Sequence, residues 1–203
     1  MSRRALDLLI AVPAAILTAP VVVVLCVLIR LESRGSAIFT QERAGLNGQP
    51  FQIFKLRTMV SGAEHIGAGL AVLQGDARIT RTGGFLRRYS LDELPNLWNV
   101  VRGEMSIVGP RPTLMGQIEL YTPRQRERLL VRPGITGWAQ VNGRASLPWS
   151  ERIELDIWYV EHRSLRLDLR ILVLTARMVF GGHGLYHADA SGGVDLGSEP
   201  GGE

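Results

Sequence analysis

Side chains suited to crosslinks and metal cages are scarce. A single cysteine, Cys26, excludes an intrachain disulfide framework and any multi-cysteine zinc site. The histidines His65, His162, His183 and His187 are scattered, and the two that stand four apart lie in glycine-rich sequence that reads as a tail. No glycine-rich Walker or dinucleotide fingerprint occurs, so ATP and NAD binding have no motif behind them. Charged residues are only 21% of the 203, and hydrophobic residues are 46%, which excludes wholesale disorder. Lysine is nearly absent, because almost all of the 23 basic residues are arginine. The net charge of +4 and pI of about 9.8 favour anionic partners: phosphates, nucleic acid or an acidic lipid surface. The mass of 22.3 kDa leaves room for one domain and an accessory segment. The mean hydropathy of +0.10 is high for a soluble protein, and its excess sits at one end.

That end is Leu8 to Ile29, 22 residues without a charge. A helix of that length extends about 33 Å, enough to cross a bilayer core of about 30 Å. Pro13 and Pro20 interrupt the run, and no small-residue cleavage site follows it, so a cleaved signal peptide is the weaker reading. Arg3 and Arg4 precede the run and Arg30 and Arg34 follow it. Arginine is retained on the cytoplasmic side, so both ends ask for the same face. Pro20 lacks a backbone donor and is expected to kink the helix. A re-entrant helix that bends at Pro20 and returns satisfies both observations; a straight span and a buried core helix are the alternatives.

Beyond the run, Ala37–Thr40 and Phe51–Phe54 read as a small β-hairpin around Asn47-Gly48. Lys55 and Arg57 at alternate positions place both cations on one strand face. The stretch Ser61–Gly75 reads as a loop or weak helix. Leu114–Val131 is expected to be helical and basic, with Arg124, Arg126, Arg128 and Arg132. Ser150–Val160 is expected to be a helix with Ser150 as N-cap. Leu165–Phe180 is a mostly apolar helix whose Arg166, Arg170 and Arg177 suit a membrane interface. The Gly-, Ser- and acid-rich segment beyond Gly181 reads as a disordered tail. The expected organisation is 1–34 membrane helix, 35–180 cytoplasmic catalytic domain and 181–203 tail. The fold class is α+β, mainly helical, with interfacial amphipathic helices.

Chemistry concentrates between Arg87 and Arg111. Ser90-Leu91-Asp92-Glu93 has capping-box spacing, and acids in a first helical turn are common because they complement the helix dipole. Three features weigh against that plain explanation. Pro95 lies just past the first turn, where it would bend the helix. Arg87 and Arg88 precede the acids by about a turn and favour ionised carboxylates. Gly109-Pro110-Arg111-Pro112 is a stiff segment that holds Arg111 on a fixed backbone. Adjacent carboxylates beside fixed arginines suit a divalent metal and a phosphate.

Ser90-Leu91-Asp92-Glu93-Leu94-Pro95, Asn99-Val100, Gly103-Glu104-Met105-Ser106, Gly109-Pro110-Arg111-Pro112 and Arg132-Pro133-Gly134-Ile135-Thr136-Gly137-Trp138 together resemble the bacterial sugar transferases. These are the monotopic phosphoglycosyl transferases, or polyprenyl-phosphate glycosylphosphotransferases. The resemblance runs from about Arg3 to Phe180 and includes Phe39-Thr40-Gln41 and Phe54-Lys55. In length the chain looks like the small, catalytic-core form, closest to the bacillosamine-type transferases. One departure is Ala19-Pro20, where the family's bend often carries Ser-Pro; Thr18 is the neighbour able to satisfy a freed carbonyl.

The resemblance implies transfer of a sugar-1-phosphate from a UDP-sugar to undecaprenyl phosphate, with release of UMP, at the cytoplasmic face of the inner membrane. By the same resemblance, Asp92 is the nucleophile that forms an aspartyl phosphosugar, and Glu93, with Asp92, holds Mg2+. Arg111 and Arg87 carry phosphate charge. Lys55, Arg144 and Asp168 are weaker transfers, each with a plain salt-bridge reading. The partners implied are the UDP-sugar, undecaprenyl phosphate and the phospholipid membrane. Trp138, Trp149, Trp158 and Tyr159 near arginines invite base stacking, but core or interface anchoring accounts for them better, and no nucleic-acid partner is expected. The non-enzyme alternative is a membrane-anchored scaffold that binds anionic lipid through its arginines.

Overall fold

The computed structural model describes residues 3–66, 75–143 and 147–180. Arg144 and the tail 181–203 lie outside them, as does most of the stretch read as a loop between Ser61 and Gly75.

The apolar run forms α1 (Arg3–Glu32), which extends past it at both ends to take in Arg3, Arg4 and Arg30, while Arg34 lies just beyond its end. Pro13 and Pro20 both lie inside, and the helix continues through them rather than ending at a bend. Pro20 leaves the Ile16 carbonyl without its helical donor. Thr18 does not serve that carbonyl; its hydroxyl donates to Ala14 O at 2.7 Å. Only 11% of the most apolar window of α1 is buried, which removes the core-helix reading and leaves a helix long and apolar enough to cross a membrane.

Both ends of α1 are held by one body of protein. Near its start, the Arg4 guanidinium donates to the carbonyls of Val100 and Val101 at 2.6 and 2.8 Å. Asp7 accepts from the Ser106 hydroxyl and the Ile107 amide, each within 2.9 Å. At its far end, Arg57 donates to the carbonyls of Ser33 and Arg34, both at 2.7 Å. The Glu32 carboxylate accepts from the amides of Arg81 and Thr82 at 2.7 and 3.0 Å.

The hairpin pairs β1 (Ile38–Ala44) with β2 (Pro50–Leu56), antiparallel from Ile38 opposite Leu56 to Ala44 opposite Pro50. It is longer than the two apolar runs suggested, because backbone pairing carries the polar residues Gln41, Glu42 and Arg43 along. Asn47 (φ 55°) and Gly48 (φ 75°) take left-handed conformations in its link, as Asn-Gly favours.

Helices α2 (Arg81–Arg88) and α3 (Asn96–Arg102) lead to β3 (Ser106–Val108), which pairs in parallel with β4 (Gly134–Thr136). Strands of three residues show no readable alternation, so this second sheet is not legible in the sequence. It makes two of the recognised motifs neighbours. Gly109 N donates to Thr136 O at 2.9 Å and Gly134 N to Pro110 O at 2.8 Å. A Cβ on Gly134 would stand 2.1 Å from Gly109 N, so only glycine allows this approach.

The expected helix over Leu114–Val131 is instead α4 (Met115–Ile118), α5 (Pro123–Arg126) and a 3-10 turn at Glu127–Leu130. Pro123 cannot continue a helix, and Thr122 with Gln125 caps a fresh start. After α6 (Trp138–Asn142), α7 (Trp149–His162) begins one residue before Ser150, which is therefore not its cap; Pro148 precedes it and no side chain caps it. The last helix, α8 (Leu165–Phe180), has the expected bounds. It buries Leu167 and Ile171 while Leu165, Leu169 and Val173 stay exposed. The main core gathers Ala11 of α1, Phe51 and Ile53 of β2, Leu97 and Val100 of α3, β3, Tyr159 of α7 and Ile171 of α8. Trp138 and Trp158 stack on one another at 5.1 Å. The class is α+β and mainly helical, as expected.

Candidate active site

The site is built on the segment after β2. Thr58 O accepts from Thr80 N at 3.1 Å. Thr80 also caps α2 through its hydroxyl, which accepts from Gly83 N at 2.9 Å. The first turn of α2 lies so close to Thr58 that a Cβ on Gly83 would stand 1.9 Å from Thr58 O. This contact fixes Arg87 one turn later, and its Nε donates to the Thr58 hydroxyl at 2.8 Å.

α2 stops at Tyr89 and the chain reverses at Ser90, whose φ of 55° and ψ of 24° are left-handed and unusual for a residue with a Cβ. A single 3-10 turn, Leu91–Glu93, follows. The expected capping box does not form. Ser90 makes no side-chain cap bond, and Glu93 reaches away from the turn. Pro95 does not bend a helix either; it precedes the first residue of α3. The acids therefore stand in an isolated turn between two helices, and a helix dipole does not account for them.

Asp92 and Glu93 are both buried, with exposures of 3% and 4%. Glu93 Oε1 accepts from Lys55 Nζ at 2.7 Å and from an Arg111 guanidinium nitrogen at 2.9 Å. Burial alone would raise its pKa, but Arg111 and Lys55 overcome that and hold the carboxyl well below the usual carboxylate range. Asp92 differs. Its Oδ1 is buried without a hydrogen-bond partner. Burial, and then the Glu93 charge, push its carboxyl up to about 6, against the pull of Lys55, Arg87 and Arg111. Two adjacent carboxylates are thus driven apart, which is how one site separates two roles.

Asp92 lines a cleft of about 560 Å3 together with Lys55, Arg57, Arg87 and Arg111. The structure brings together Lys55, Arg87, Asp92 and Arg111, as the sequence suggested. Asp168 is elsewhere: it accepts from the Tyr159 hydroxyl at 2.7 Å and faces Arg3 near the start of α1. Four participants escaped the sequence reading. Thr58 anchors Arg87, and Arg57 faces the cleft while tied to the end of α1. Asn99 joins α3 to β2, donating to Gln52 O at 2.7 Å and accepting from Phe54 N at 3.3 Å. Arg128 holds the Arg111 carbonyl at 3.0 Å. The alternation Lys55, Arg57 was the signal for the second; the others depend on contacts between distant segments.

Hard carboxylate oxygens beside a cluster of cations suit Mg2+, which takes one or two carboxylates and completes its shell with water and phosphate oxygens. Among the described residues no group of three or more His, Cys, Asp and Glu could cage a metal alone. The partnerless Asp92 Oδ1, next to Glu93, fits that sparse donor set.

Residues 1–182 match the family of bacterial sugar transferases. An uncharacterized sugar transferase of Bacillus subtilis is 43% identical over 90% of this chain and 89% of its own length. The UDP-N-acetylgalactosamine-undecaprenyl-phosphate N-acetylgalactosaminephosphotransferase of Aeromonas hydrophila is 41% identical over 90% of this chain, and the undecaprenyl-phosphate glucose phosphotransferase of Komagataeibacter xylinus 40% over 87%. The chain spans 44% and 35% of the lengths of those two relatives. With the family match across nearly the whole chain and a relative 43% identical over 89% of its own length, the protein belongs to the bacterial sugar transferase family.

Proposed function

We propose that the chain moves a sugar-1-phosphate from a UDP-sugar to undecaprenyl phosphate through a covalent intermediate on Asp92, releasing UMP. The observation that carries this reading is the Asp92 carboxylate: buried, one oxygen without a partner, and facing a cleft walled by Lys55, Arg87 and Arg111. In the first step an Asp92 oxygen attacks the sugar-linked phosphorus and the bond to the UMP phosphate breaks, its electron pair leaving with UMP. In the second, an oxygen of the lipid phosphate attacks the same phosphorus, the aspartyl–phosphorus bond breaks, and the carboxylate is restored. Splitting the transfer in this way is nucleophilic catalysis with ping-pong kinetics.

Arg87 and Arg111 bind and orient phosphate oxygens as guanidinium forks. Lys55 and Arg111 keep Glu93 ionised, and Glu93 with Asp92 would hold Mg2+. When bound, that ion neutralises diphosphate charge and stabilises the departing phosphate. Arg144 belongs to the same proposal as a phosphate contact. The names of the Aeromonas and Komagataeibacter relatives support undecaprenyl phosphate as acceptor.

The attachment of both ends of α1 to one body of protein supports a monotopic arrangement. The apolar middle of the helix, with exposed Ile16, Leu17, Val23 and Val24, dips into the cytoplasmic leaflet of the inner membrane and both ends stay on the cytoplasmic side.

The test is a UMP-release assay with undecaprenyl phosphate against a panel of UDP-sugars. A second arm omits the lipid, quenches rapidly and weighs the peptide that contains Asp92. The expected result is UMP release with one sugar and one added phosphosugar mass. UMP release that needs the lipid and leaves no adduct would mean direct transfer in a ternary complex. No UMP from any UDP-sugar would favour a lipid-binding scaffold.

A further inference from the structure

We infer that Arg128, with its buried partner Asp156, is a positioning residue for the reaction: it fixes the backbone that aims Arg111 at Glu93 and the cleft. Arg128 is 4% exposed and stands in the 3-10 turn after α5. Its two terminal nitrogens donate to three segments at once, while Nε is buried without a partner. One terminal nitrogen donates to the Tyr121 hydroxyl at 2.7 Å. The other donates to Asp156 Oδ2 on α7, at 2.5 Å, and to the Arg111 carbonyl at 3.0 Å.

The residues after Arg111 are held too. Pro112 O accepts from Arg43 at 3.3 Å, and Thr113 O accepts from Ala44 N at 2.9 Å. The Tyr121 hydroxyl, itself held by Arg128, donates to the Thr113 hydroxyl at 3.0 Å. Each of three consecutive carbonyls from Arg111 onward therefore has a donor from another segment. Arg128 supplies the one nearest the functional side chain and braces a second attachment through Tyr121.

A buried Arg–Asp pair gains little stability over well-packed apolar residues of the same volume. What such a pair supplies that leucine or methionine cannot is a rigid fork with a donor left over for a carbonyl. Lysine would retain the buried charge beside Asp156, but its point charge cannot span Tyr121, Asp156 and Arg111 O in one fixed geometry. Charge and geometry can therefore be separated by one substitution.

The inference rests on the proposed transfer of a sugar-1-phosphate, and the experiment separates the two. UMP release is measured in full-length membrane-bound protein for wild type, Arg128→Lys, Arg111→Ala and the double variant, with thermal midpoints alongside. Misplacing a catalytic side chain by about an ångström costs up to about 100-fold. Arg128→Lys is therefore expected to lower kcat about 10-fold or more, with the midpoint within a few degrees of wild type. In the Arg111→Ala background the same substitution is expected to cost less than about 2-fold, because its effect runs through a side chain already removed. Amide exchange at Ala44 and Gly134, whose N–H groups donate to Thr113 O and Pro110 O on either side of Arg111, is expected to rise in Arg128→Lys while the rest of the hairpin stays unchanged.

If Arg128→Lys does not fold, Tyr121→Phe takes its place in the same cycle, with a smaller loss that again vanishes without Arg111. Equal fold losses in both backgrounds, or unchanged exchange at Ala44 and Gly134, would overturn the inference and leave the proposed function standing. Wild-type protein that releases no UMP from any UDP-sugar would overturn the proposed function instead; the exchange measurement then decides the positioning of Arg111 alone.

Discussion

Asp92 and Glu93 are neighbours in the chain with opposite surroundings. Glu93 gives one oxygen to Lys55 and Arg111, while Asp92 faces the cleft with an oxygen that nothing bonds. The left-handed Ser90 produces this split: it swings the chain into one tight turn, after which successive side chains point in different directions.

Asp92→Asn is expected to abolish turnover, by a factor of 1,000 or more on the order of nucleophile deletions, and to stabilise the fold. The sign follows from the raised pKa. A carboxyl at about 6 in the folded protein, against about 3.9 unfolded, costs stability when ionised. That cost is absent below the unfolded value, grows as pH rises towards 6 and is complete above it. Asparagine carries none of it, so at pH 7.5 the variant gains about 1–3 kcal/mol, a midpoint higher by several degrees, and at pH 4 almost nothing. A midpoint lowered at both pH values would refute the assignment of Asp92 as a buried, unsatisfied charge.

Gly83 and Gly84 are expected to respond in opposite ways to alanine. At Gly83 the new Cβ would meet the Thr58 carbonyl at 1.9 Å; at Gly84 its nearest neighbour is Ile79 at 4.0 Å. Gly84→Ala should therefore stabilise α2 by about 0.5–1 kcal/mol through helix propensity. Gly83→Ala should cost about 1–3 kcal/mol as an overpacked contact, and turnover with it, since Arg87 rides on the same helix. Thermal melts of the two variants decide it.

Ser90 should tolerate glycine and reject valine. Ser90→Gly relieves a left-handed backbone and is expected to keep turnover within a few-fold. Ser90→Val adds a β-branched side chain in that conformation, at about 1–2 kcal/mol, and should displace the acidic turn. Kinetics and melts of both variants check this, and equal turnover in the two would argue that the turn does not need the left-handed residue.

Both ends of α1 are expected on one side of the membrane. In a Cys26→Ser background, single cysteines at Ala5 and Arg34, both exposed, can be probed with an impermeant reagent in intact cells. Neither should label until the membrane is permeabilised. Labelling of Ala5→Cys alone from outside would mean that α1 spans, and that Arg4 cannot keep its bonds to Val100 and Val101.

The sequence by itself determined the apolar N-terminal helix, the hairpin with Asn47-Gly48 at its link, the bounds of α8, the acidic pair and the cations Lys55, Arg87 and Arg111. These are local properties: hydrophobic length, turn chemistry, and short motifs whose residue types carry the signal. It wrongly gave Ser90 a capping role and Leu114–Val131 a continuous helix, because spacing alone cannot tell whether Glu93 bonds back to its own turn or across to Lys55, nor whether a basic stretch is broken at Pro123. Only the tertiary structure decided the parallel pairing of β3 with β4, the Arg128 brace behind Arg111, the anchoring of Arg87 on Thr58 and the grip on both ends of α1. Each joins segments far apart in sequence, and such contacts are set by close packing and by the need to satisfy buried polar groups, neither of which leaves a periodic trace in the chain.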